Sequence, residues 1–270
     1  MRKRYILRTQ GRISWFGLGL ICLFIILAVF SSFLAPHPVG ARTEAYLLPS
    51  TTHIFGTDDI GCDIFSELIH GTRTTLLIGV GAALLSTLIG LVVGLTAGYF
   101  RGVVDELLMG LTDVFLMIPR IPLLIILAAF LRPGTGTILL TLGLLWWTST
   151  ARVIRSKTLQ VRESQYVAGA RALGFGHGYI IMTDVLPNIL LVVLPKFLLT
   201  VASAMISEAS LSFLGLGDAI HKSWGMMINF AFTKGGMING MWWWYMPPGL
   251  CISTVILAFV LLGHRLEVQE

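Results

Sequence analysis

The sequence carries little charge. Asp, Glu, Lys and Arg make up 12% of its 270 residues, whereas soluble domains carry about 25%. Hydrophobic residues make up 55%, and this composition excludes an ordinary soluble domain and favours an integral membrane protein. The net charge of +5 comes from basic residues clustered in a few segments. Such clustering indicates membrane orientation rather than a basic face that binds nucleic acid.

Catalytic and metal-binding patterns are also missing. There are three cysteines and no C-x-x-C pair, so neither a disulfide framework nor a structural zinc site is expected. The sequence has no G-x-x-x-x-G-K-[ST] loop for nucleotide phosphates, and no H-E-x-x-H or Ser/His/Asp arrangement at usable spacing. We therefore predict a protein that is not an enzyme, with no catalytic residue, no metal site and no cofactor bound by this chain.

Apolar runs long enough to cross a bilayer as helices recur six times. The first follows a basic start, but at roughly 22 residues it exceeds the h-region of a signal peptide, which favours an uncleaved span. The predicted spans cover residues 13–34, 75–99, 107–131, 137–154, 185–207 and 245–263. The predicted fold is thus all-α, a polytopic membrane protein with about six transmembrane helices and a short cytoplasmic coupling helix. Residues 1–12 form a cytoplasmic tail and residues 13–270 the transmembrane domain.

Lys and Arg are distributed unevenly between the two sides that these spans define. With the N-terminus in the cytoplasm, twelve of the 19 basic residues fall in cytoplasmic segments and five in outer ones. The other two, Arg120 and Lys196, fall within spans. The positive-inside rule then predicts a multi-pass protein of the cytoplasmic membrane with both termini in the cytoplasm. It also places the connection between spans four and five, residues 152–184, on that side.

Prolines and ionisable residues inside spans indicate where function is expected. Pro119 and Pro122 each remove a backbone donor, so span three should kink there, either as ordinary membrane architecture or as pathway lining. Lys196 is a functional candidate by default, although its side chain could snorkel to the interface. Asp113 could equally be a cytoplasmic interface residue, and Glu208 either a contact for a cationic substrate or binding protein or an interfacial hydrogen-bonding group. The pathway candidates are Asp113, Met117, Pro119, Met205, Ser207 and Glu208.

The stretch SQYVAGARALGFGHGYIIMTDVLPN, residues 164–188, interrupts the apolar runs with small residues and glycines. Its first part predicts a short helix that Ser164 caps, and Gly174 suits a left-handed residue just past the helix end. The residues expected on one side of this helix are Tyr166, Val167, Ala170 and Leu173. A helix this short is not stable alone and must pack against another structural element. It is either a loop helix on the protein's own spans or a docking helix for a cytoplasmic partner.

This stretch resembles the cytoplasmic coupling loop of ABC-importer permeases, in which a short helix with a fixed glycine precedes Leu-Pro-Asn. Two further stretches, FGTDDIGCDIFSELIHGTRTTLLIG (55–79) and SFLGLGDAIHKSWGMMI (212–228), are similar to segments of the C-type permeases for dipeptides, oligopeptides and nickel. The resemblance runs from about His53 to the C-terminal LLGHRLE. The coupling and ATPase-docking residues that it implies are Tyr166, Val167, Ala168, Gly169, Ala170, Leu173, Gly174, Leu186, Pro187 and Asn188.

The sequence departs from the family pattern at several positions. Ala168 and Gly169 stand where the family has a glutamate and an alanine, so an ion pair with the partner must be replaced by packing or by Arg171. Gly176 stands where relatives tend to have serine, which weakens the cap of the following helix. Cys62 replaces a common arginine, which puts in doubt a salt bridge expected in the first outer loop.

The resemblance implies the permease subunit of an ATP-driven importer that moves di- or oligopeptides across the cytoplasmic membrane. Its implied partners are a second, B-type permease, two ATP-binding subunits, an extracytoplasmic substrate-binding protein and membrane lipid. No binding of nucleic acid is implied. ATP and Mg would be used by the partner subunits. Import of nickel or a metal chelate is the alternative, because the short chain and the segment WGMMIN look closer to nickel-type members. An ATPase-independent secondary transporter is a remoter alternative, since no repeat relates the two halves.

Overall fold

The structure is a computed structural model that describes residues 2–268, with side chains over residues 15–267. The backbone of the predicted tail forms the beginning of the first helix, whereas its side chains, Met1 and residues 269–270 lie outside the described residues. The helices are α1 (Arg2–Val29), α2 (Ser31–Leu34), α3 (Ile64–Phe100), α4 (Gly102–Met117), α5 (Arg120–Phe130), α6 (Thr135–Arg162), α7 (Gln165–Ala172), α8 (His177–Ile180), α9 (Leu186–Leu211), α10 (Trp224–Thr233) and α11 (Trp242–Val268). Two π-helical segments, Ile181–Val185 and Ser212–Leu216, flank α9.

The predicted all-α, polytopic architecture is confirmed. Four helices are long and apolar enough to cross a membrane: α3, α6, α9 with its flanking turns, and α11. Helices α4 and α5 make a fifth if the bent pair is one span, and the described apolar part of α1, Trp15–Val29, is shorter. The six predicted spans fall on these helices, the third on both α4 and α5, while the number six itself stays a prediction.

Span three is broken, as the prolines predict. Helices α4 and α5 meet at an angle of 81°, and Ile118 and Pro119 between them have extended backbones. The ring of Pro119 disfavours a helical conformation at Ile118, so α4 must end there. Pro122 falls in the first turn of α5, where the missing N–H would have had no helical partner.

Helix α3 packs along α6 through a row of glycines. A Cβ atom on Gly94 would lie 2.4 Å from the carbonyl oxygen of Ala151. A Cβ atom on Gly98 would lie 2.6 Å from the Cβ of Thr158, and Gly90 faces Thr150 in the same way. Small residues at every fourth position let membrane helices approach to backbone contact. Helices α3 and α6 therefore form the most closely packed pair in the described part of the chain.

Helix α3 begins 11 residues before the predicted span, at Ile64. Asp63 caps it, because its Oδ2 accepts hydrogen bonds from the backbone N–H and the hydroxyl of Ser66, at 2.8 and 2.7 Å. The additional turns reach beyond the apolar run and connect the helix to the first outer loop. The N-terminal end of α3 is thereby part of the side that the sequence predicts to be extracytoplasmic, which we call the outer side.

Candidate functional site

Helix α7 is anchored on the protein's own spans through one face. Val167 is fully buried and packs in a cluster with Ile154 of α6, Tyr99 of α3 and Ile189 of α9. Ala170, three residues further on, packs against the same cluster. The inner ends of three membrane helices therefore meet on α7.

Exposure changes across the side of α7 on which the sequence places Tyr166, Val167, Ala170 and Leu173. The successive 100° rotations of an α-helix place all four within an arc of about 120°, with Val167 at one edge and Leu173 at the other. Val167 is buried and Ala170 is partly buried, whereas Tyr166 and Leu173 are exposed, Leu173 to 79%. This side of the helix therefore has a buried edge that anchors it and an exposed edge.

The turns that bound α7 agree with the prediction at its end and differ at its start. Ser164 occupies the N-cap position, but its hydroxyl donates to the carbonyl of Val161 at 2.6 Å and does not cap α7. Gly174 has φ +82°, as predicted. The N–H of Gly174 donates to Arg171 and that of Phe175 to Ala170, at 3.0 and 3.2 Å, which closes the helix end.

An apolar surface surrounds the exposed face of α7, and we call it the coupling patch. Its members are Tyr166, Leu173, Phe175, Tyr179 and Met182. The rings of Phe175 and Tyr179 stack with centroids 4.7 Å apart. Ala168 and Gly169 lie exposed beside them, and a Cβ atom on Gly169 would meet nothing within 4 Å. Exposed apolar groups of this extent are typical of a surface that another protein covers.

Arg171 is engaged within the chain. Its guanidinium lies over the ring of Tyr99, 5.5 Å from the centroid, and the hydroxyl of Tyr99 is 3.0 Å from Nδ1 of His177. Of the two replacements considered for the missing acidic residue, the structure favours packing, because the side chain of Arg171 is directed toward the protein. The predicted weak cap at Gly176 also agrees with the structure: no side chain caps α8, which has four residues.

Leu186, Pro187 and Asn188 form the transition from a π-helical turn to α9. The N–H of Leu186 donates to the carbonyl of Ile181, which is the i→i−5 pattern of a π turn. Pro187 has no N–H to donate. The side chain of Asn188 donates to the carbonyl of Asp184 at 2.7 Å, which adds a side-chain bond at this junction.

Ion pairs connect the membrane helices on the side that the sequence predicts to be cytoplasmic. Arg155 of α6 binds Asp105 of α4 with two hydrogen bonds of 2.5 and 2.6 Å. Arg152 binds Asp113 at 2.6 Å. Asp113 therefore has a charged partner within the chain, and its role at the cytoplasmic interface or in the pathway stays a prediction.

The six pathway candidates do not come together in one site. Met117 and Pro119 are exposed near the break of span three, whereas Met205 is fully buried, and its side chain fills the space beside Gly79. Ser207 donates to the carbonyl of Ser203 at 2.8 Å within α9. Their common role in a pathway stays a prediction.

Glu208 lies in the last turn of α9. It is fully buried, and one carboxylate oxygen accepts a hydrogen bond of 2.7 Å from Ser212. Its other oxygen, Oε2, has no hydrogen-bond partner in the described part of the chain. Met205 and Glu208 therefore offer no surface to a substrate in this conformation.

On the outer side, one lysine joins two distant segments, and we call the group the outer ion cluster: Asp58, Glu67 and Lys222. The Nζ of Lys222 lies 2.9 Å from Oδ2 of Asp58 and also pairs with Glu67. Burial lowers the pKa of Lys222, but the two carboxylates outweigh it, so its pKa is raised. The cluster accounts for the absence of the family's arginine at Cys62. Asp58 and Glu67 pair instead with Lys222, which is 155 or more residues away in the sequence.

Asp218 ties the outer end of α6 to the same segment. Its Oδ2 accepts from the N–H and the hydroxyl of Thr135, at 3.1 and 2.9 Å, and Oδ1 accepts from the N–H of His221 at 3.0 Å. Burial raises the pKa of Asp218, but these hydrogen bonds outweigh it and hold the pKa well below its usual range. The charged carboxylate of Asp218 thus holds its own segment on the outer end of α6.

Three residues beside Ser66 have the composition of a metal site. His37, His53 and Asp63 have ligand-capable atoms within 4.8 Å of one another. Nδ1 of His53 is 2.9 Å from Oδ1 of Asp63, whose other oxygen accepts both Ser66 bonds. Since Asp63 is saturated by these bonds, the group serves to hold the loop on α3. The predicted absence of a metal site stays a prediction.

A cavity of about 940 Å³ opens between the first outer loop, the outer end of α3 and residues 218–222. Its wall contains basic side chains, including Arg42, Arg73 and His221, and also the carboxylates of Asp63, Glu67 and Asp218. Neither Arg42 nor Arg73 has a carboxylate oxygen within 4 Å among residues 15–267. Both arginines line the cavity.

Comparisons with known proteins agree with this arrangement. Residues 90–268 match the family model described as the inner membrane component of binding-protein-dependent transport systems. The matched region includes α7, the coupling patch and α9. This is a class of transport permeases rather than of enzymes, and its members are located in the inner membrane.

The chain is also similar to curated permeases over nearly its whole length. It is 36% identical to the dipeptide transport system permease protein DppC of Bacillus subtilis (strain 168), over 96% of this chain and 81% of that protein. It is 32% identical to the oligopeptide transport system permease protein OppC of the same organism, over 96% of this chain and 85% of that one. The chain therefore belongs to the family of inner membrane components of binding-protein-dependent transport systems.

Proposed function

We propose that this chain is the transmembrane permease subunit of an ATP-driven importer that carries di- or oligopeptides across the cytoplasmic membrane. The observation that carries the proposal is α7, which Val167 anchors to three membrane helices and whose outer face bears the coupling patch. A separate protein that covers this patch can move the inner ends of α3, α6 and α9 together. The names of the relatives support peptides as the substrate.

The partners follow from this assignment. Two ATP-binding subunits would hydrolyse ATP with Mg²⁺, one of them docked on the coupling patch, while this chain binds no cofactor. A second, B-type permease would complete the path, and an extracytoplasmic binding protein would deliver substrate to the outer face. The excess of Lys and Arg on the side of α7 supports a cytoplasmic location for this helix and both termini.

Coupling would work by rigid-body displacement. Closure of the ATP-binding subunits would push α7, and the buried contacts of Val167 and Ala170 would pass the displacement to the helices behind it. The importer would thereby alternate between inward-open and outward-open states, which is the usual form of a hinge or rigid-body switch. The residues proposed for docking and coupling are Tyr166, Val167, Ala168, Gly169, Ala170, Leu173, Gly174, Leu186, Pro187 and Asn188.

Gly174 offers a direct test of coupling. A valine at φ +82° would be strained and would redirect the chain after α7. We expect Gly174→Val to leave the protein in the membrane and abolish most peptide uptake by the reconstituted importer. Gly240→Val is the matched control, because Gly240 has φ +68° and open space around it, yet lies in an outer loop. Unchanged uptake in Gly174→Val would contradict the coupling role.

The substrate is tested separately. Proteoliposomes that contain the complete importer should accumulate labelled dipeptide in an ATP-dependent manner and should not accumulate radiolabelled nickel. Accumulation of nickel without peptide would replace the peptide assignment by the metal alternative. Accumulation of peptide without ATP would instead indicate a secondary transporter.

A further inference from the structure

One face of α3 forms a wall of the outer cavity. The residues of this face that line the cavity are Ser66, His70, Arg73 and Leu77. Their spacing of four, three and four positions places them on the same side of the helix. From Ser66 to Leu77 the wall extends about 16 Å along the helix axis. Arg73 lies in the inner part of this wall.

Arg42 brings a second guanidinium to the cavity from the first outer loop. The next residue, Thr43, is bound to the backbone of Gly61: its N–H and its hydroxyl both donate to that carbonyl, at 2.8 and 3.1 Å. Cys62, the residue after Gly61, also lines the cavity. The backbone next to Arg42 is therefore fixed at the cavity wall.

The carboxylates in the wall are committed to groups of the chain itself. Asp63 caps α3, and Glu67 is paired in the outer ion cluster. Asp218 accepts hydrogen bonds from the first residue of α6 and from its own segment. Arg42 and Arg73, by contrast, have no carboxylate oxygen within 4 Å in the part of the chain whose side chains are described. The cavity therefore offers two uncommitted guanidiniums to an anionic ligand.

The size and the apolar part of the wall suit a short peptide. Cavities that hold small-molecule ligands measure roughly 300–1,000 Å³, and this cavity measures about 940 Å³. Its wall also contains the exposed apolar side chains of Val39, Ile60, Leu77 and Ile220. A guanidinium presents a fork of N–H donors that matches the two oxygens of a carboxylate, whereas the apolar groups can pack against peptide side chains.

We propose that the outer cavity is a peptide-binding site of the permease, in which Arg42 and Arg73 supply the positive charge that binds the terminal carboxylate. The inference rests on the proposed import of peptides and deepens it, because it gives this chain a substrate site of its own. A peptide would occupy the cavity after its release from the binding protein. Since every unmodified peptide ends in a carboxylate, the site would select peptides as a class rather than particular side chains.

The test uses two ligands that differ only at the terminal carboxyl group, the dipeptide Ala-Phe and its C-terminal amide. Their affinities for the complete importer in lipid nanodiscs, without binding protein and without ATP, are measured by saturation-transfer NMR titration. We expect the acid to bind roughly tenfold more tightly, because the amide loses charged hydrogen bonds. In Arg42→Gln/Arg73→Gln, the affinity for the acid should fall to that for the amide. Arg132→Gln, an exposed arginine outside the cavity wall, should keep the tenfold preference.

The ratio of the two affinities separates recognition from a structural role. A double variant that keeps the wild-type ratio overturns the proposal, and so does a wild-type importer that binds both ligands equally. Weaker docking of the binding protein with an unchanged ratio also overturns it, because the cavity is then a docking surface. Should the double variant not assemble, the ratio is measured in Arg73→Gln alone, where it should still fall. An importer that accumulates no dipeptide with ATP rejects peptide import itself, whereas uptake without a preference for the acid rejects only this inference.

Discussion

The outer face and the coupling segment lie at opposite ends of α6 and are held by different interactions. On the outer face, charged groups such as Asp58, Lys222 and Asp218 bind each other and the backbone across distant parts of the chain. At the coupling segment, the anchor is apolar, made by Val167 and Ala170, and the outward surface carries no ion pair among its described residues. The outer face is thus stabilised within the chain, whereas the coupling segment leaves an apolar surface exposed, on which we propose that a partner docks.

The strongest test of this comparison removes the cation of the outer ion cluster. Lys222→Met leaves Asp58 and Glu67 facing each other without a cation, and breaking a buried pair in this way typically costs about 3–5 kcal/mol. We expect a large fall in the thermal unfolding midpoint of the purified protein. Lys234→Met is the control: Lys234 lies 3.5 Å from Asp59 with 47% of its side chain exposed, so about 1 kcal/mol or less is expected. Equally small shifts of the unfolding midpoint in both variants would show that the stability of the outer face does not depend on its ion pairs.

Substitutions of two glycines, one in each region, test the comparison with an intermediate expected effect on stability. Gly61 has φ +83°, and a Cβ atom there would lie 2.1 Å from the carbonyl oxygen of Thr43. We expect Gly61→Ala to destabilise the protein by about 1–3 kcal/mol. Gly169→Ala, in the open middle of α7, should stabilise that helix by up to about 1 kcal/mol. Melting temperatures that shift in opposite directions would confirm the difference, and a destabilised Gly169→Ala would contradict the open surface.

A substitution in the coupling patch should weaken binding of the ATP-binding subunits rather than destabilise the fold. Leu173→Ser removes an exposed apolar side chain, so the melting temperature of the isolated protein should change little. Its affinity for the ATP-binding subunits should fall by roughly tenfold, as expected when a well-packed leucine is lost from an interface. Ile238→Ser, on the outer side and 90% exposed, should leave that affinity unchanged. Equal affinities for both variants, measured by titration of labelled subunits, would place the docking surface elsewhere.

The smallest expected change concerns a thiol. Burial, together with Asp58 and Glu67, raises the pKa of Cys62 to about 11. Below that pH the thiol is almost wholly protonated, so alkylation by a maleimide at pH 8 should be slow and should accelerate as the pH rises. In a background of Cys22→Ser and Cys251→Ala, we expect Leu173→Cys to be labelled rapidly and Cys62 to stay unlabelled. Fast labelling of Cys62 would mean that the outer face opens.

Local rules made some features predictable from the sequence. The break at Pro119 and the left-handed Gly174 follow from the covalent chemistry of single residues, so no tertiary information was needed. The apolar runs located the membrane helices because a run of about 20 apolar residues matches the thickness of a bilayer. The apolar side of α7 followed from the spacing of its residues, but which edge of that side is buried depends on the membrane helices behind it.

The remaining features depend on contacts between distant segments. Lys222 pairs with residues more than 150 positions away, and no periodicity indicates such a partner. Phe175 and Tyr179 of the coupling patch were missed because their exposure is set by how the segment packs; the sequence signal available was their four-residue spacing after Gly174. The full burial of Glu208 is likewise set by packing around the end of α9, which the sequence does not show.

The glycine row between α3 and α6 has a consequence for where motion can occur. With the backbone of Gly94 against the carbonyl of Ala151, sliding or rotation of one helix past the other would bring backbone atoms into collision. We therefore expect the two helices to move as one unit. Helix α3 has 37 residues, about 55 Å, so this unit reaches from the coupling segment to the outer ion cluster. We expect the hinges at the interruptions of the other helices, which are the bend between α4 and α5 and the π-helical turns at both ends of α9.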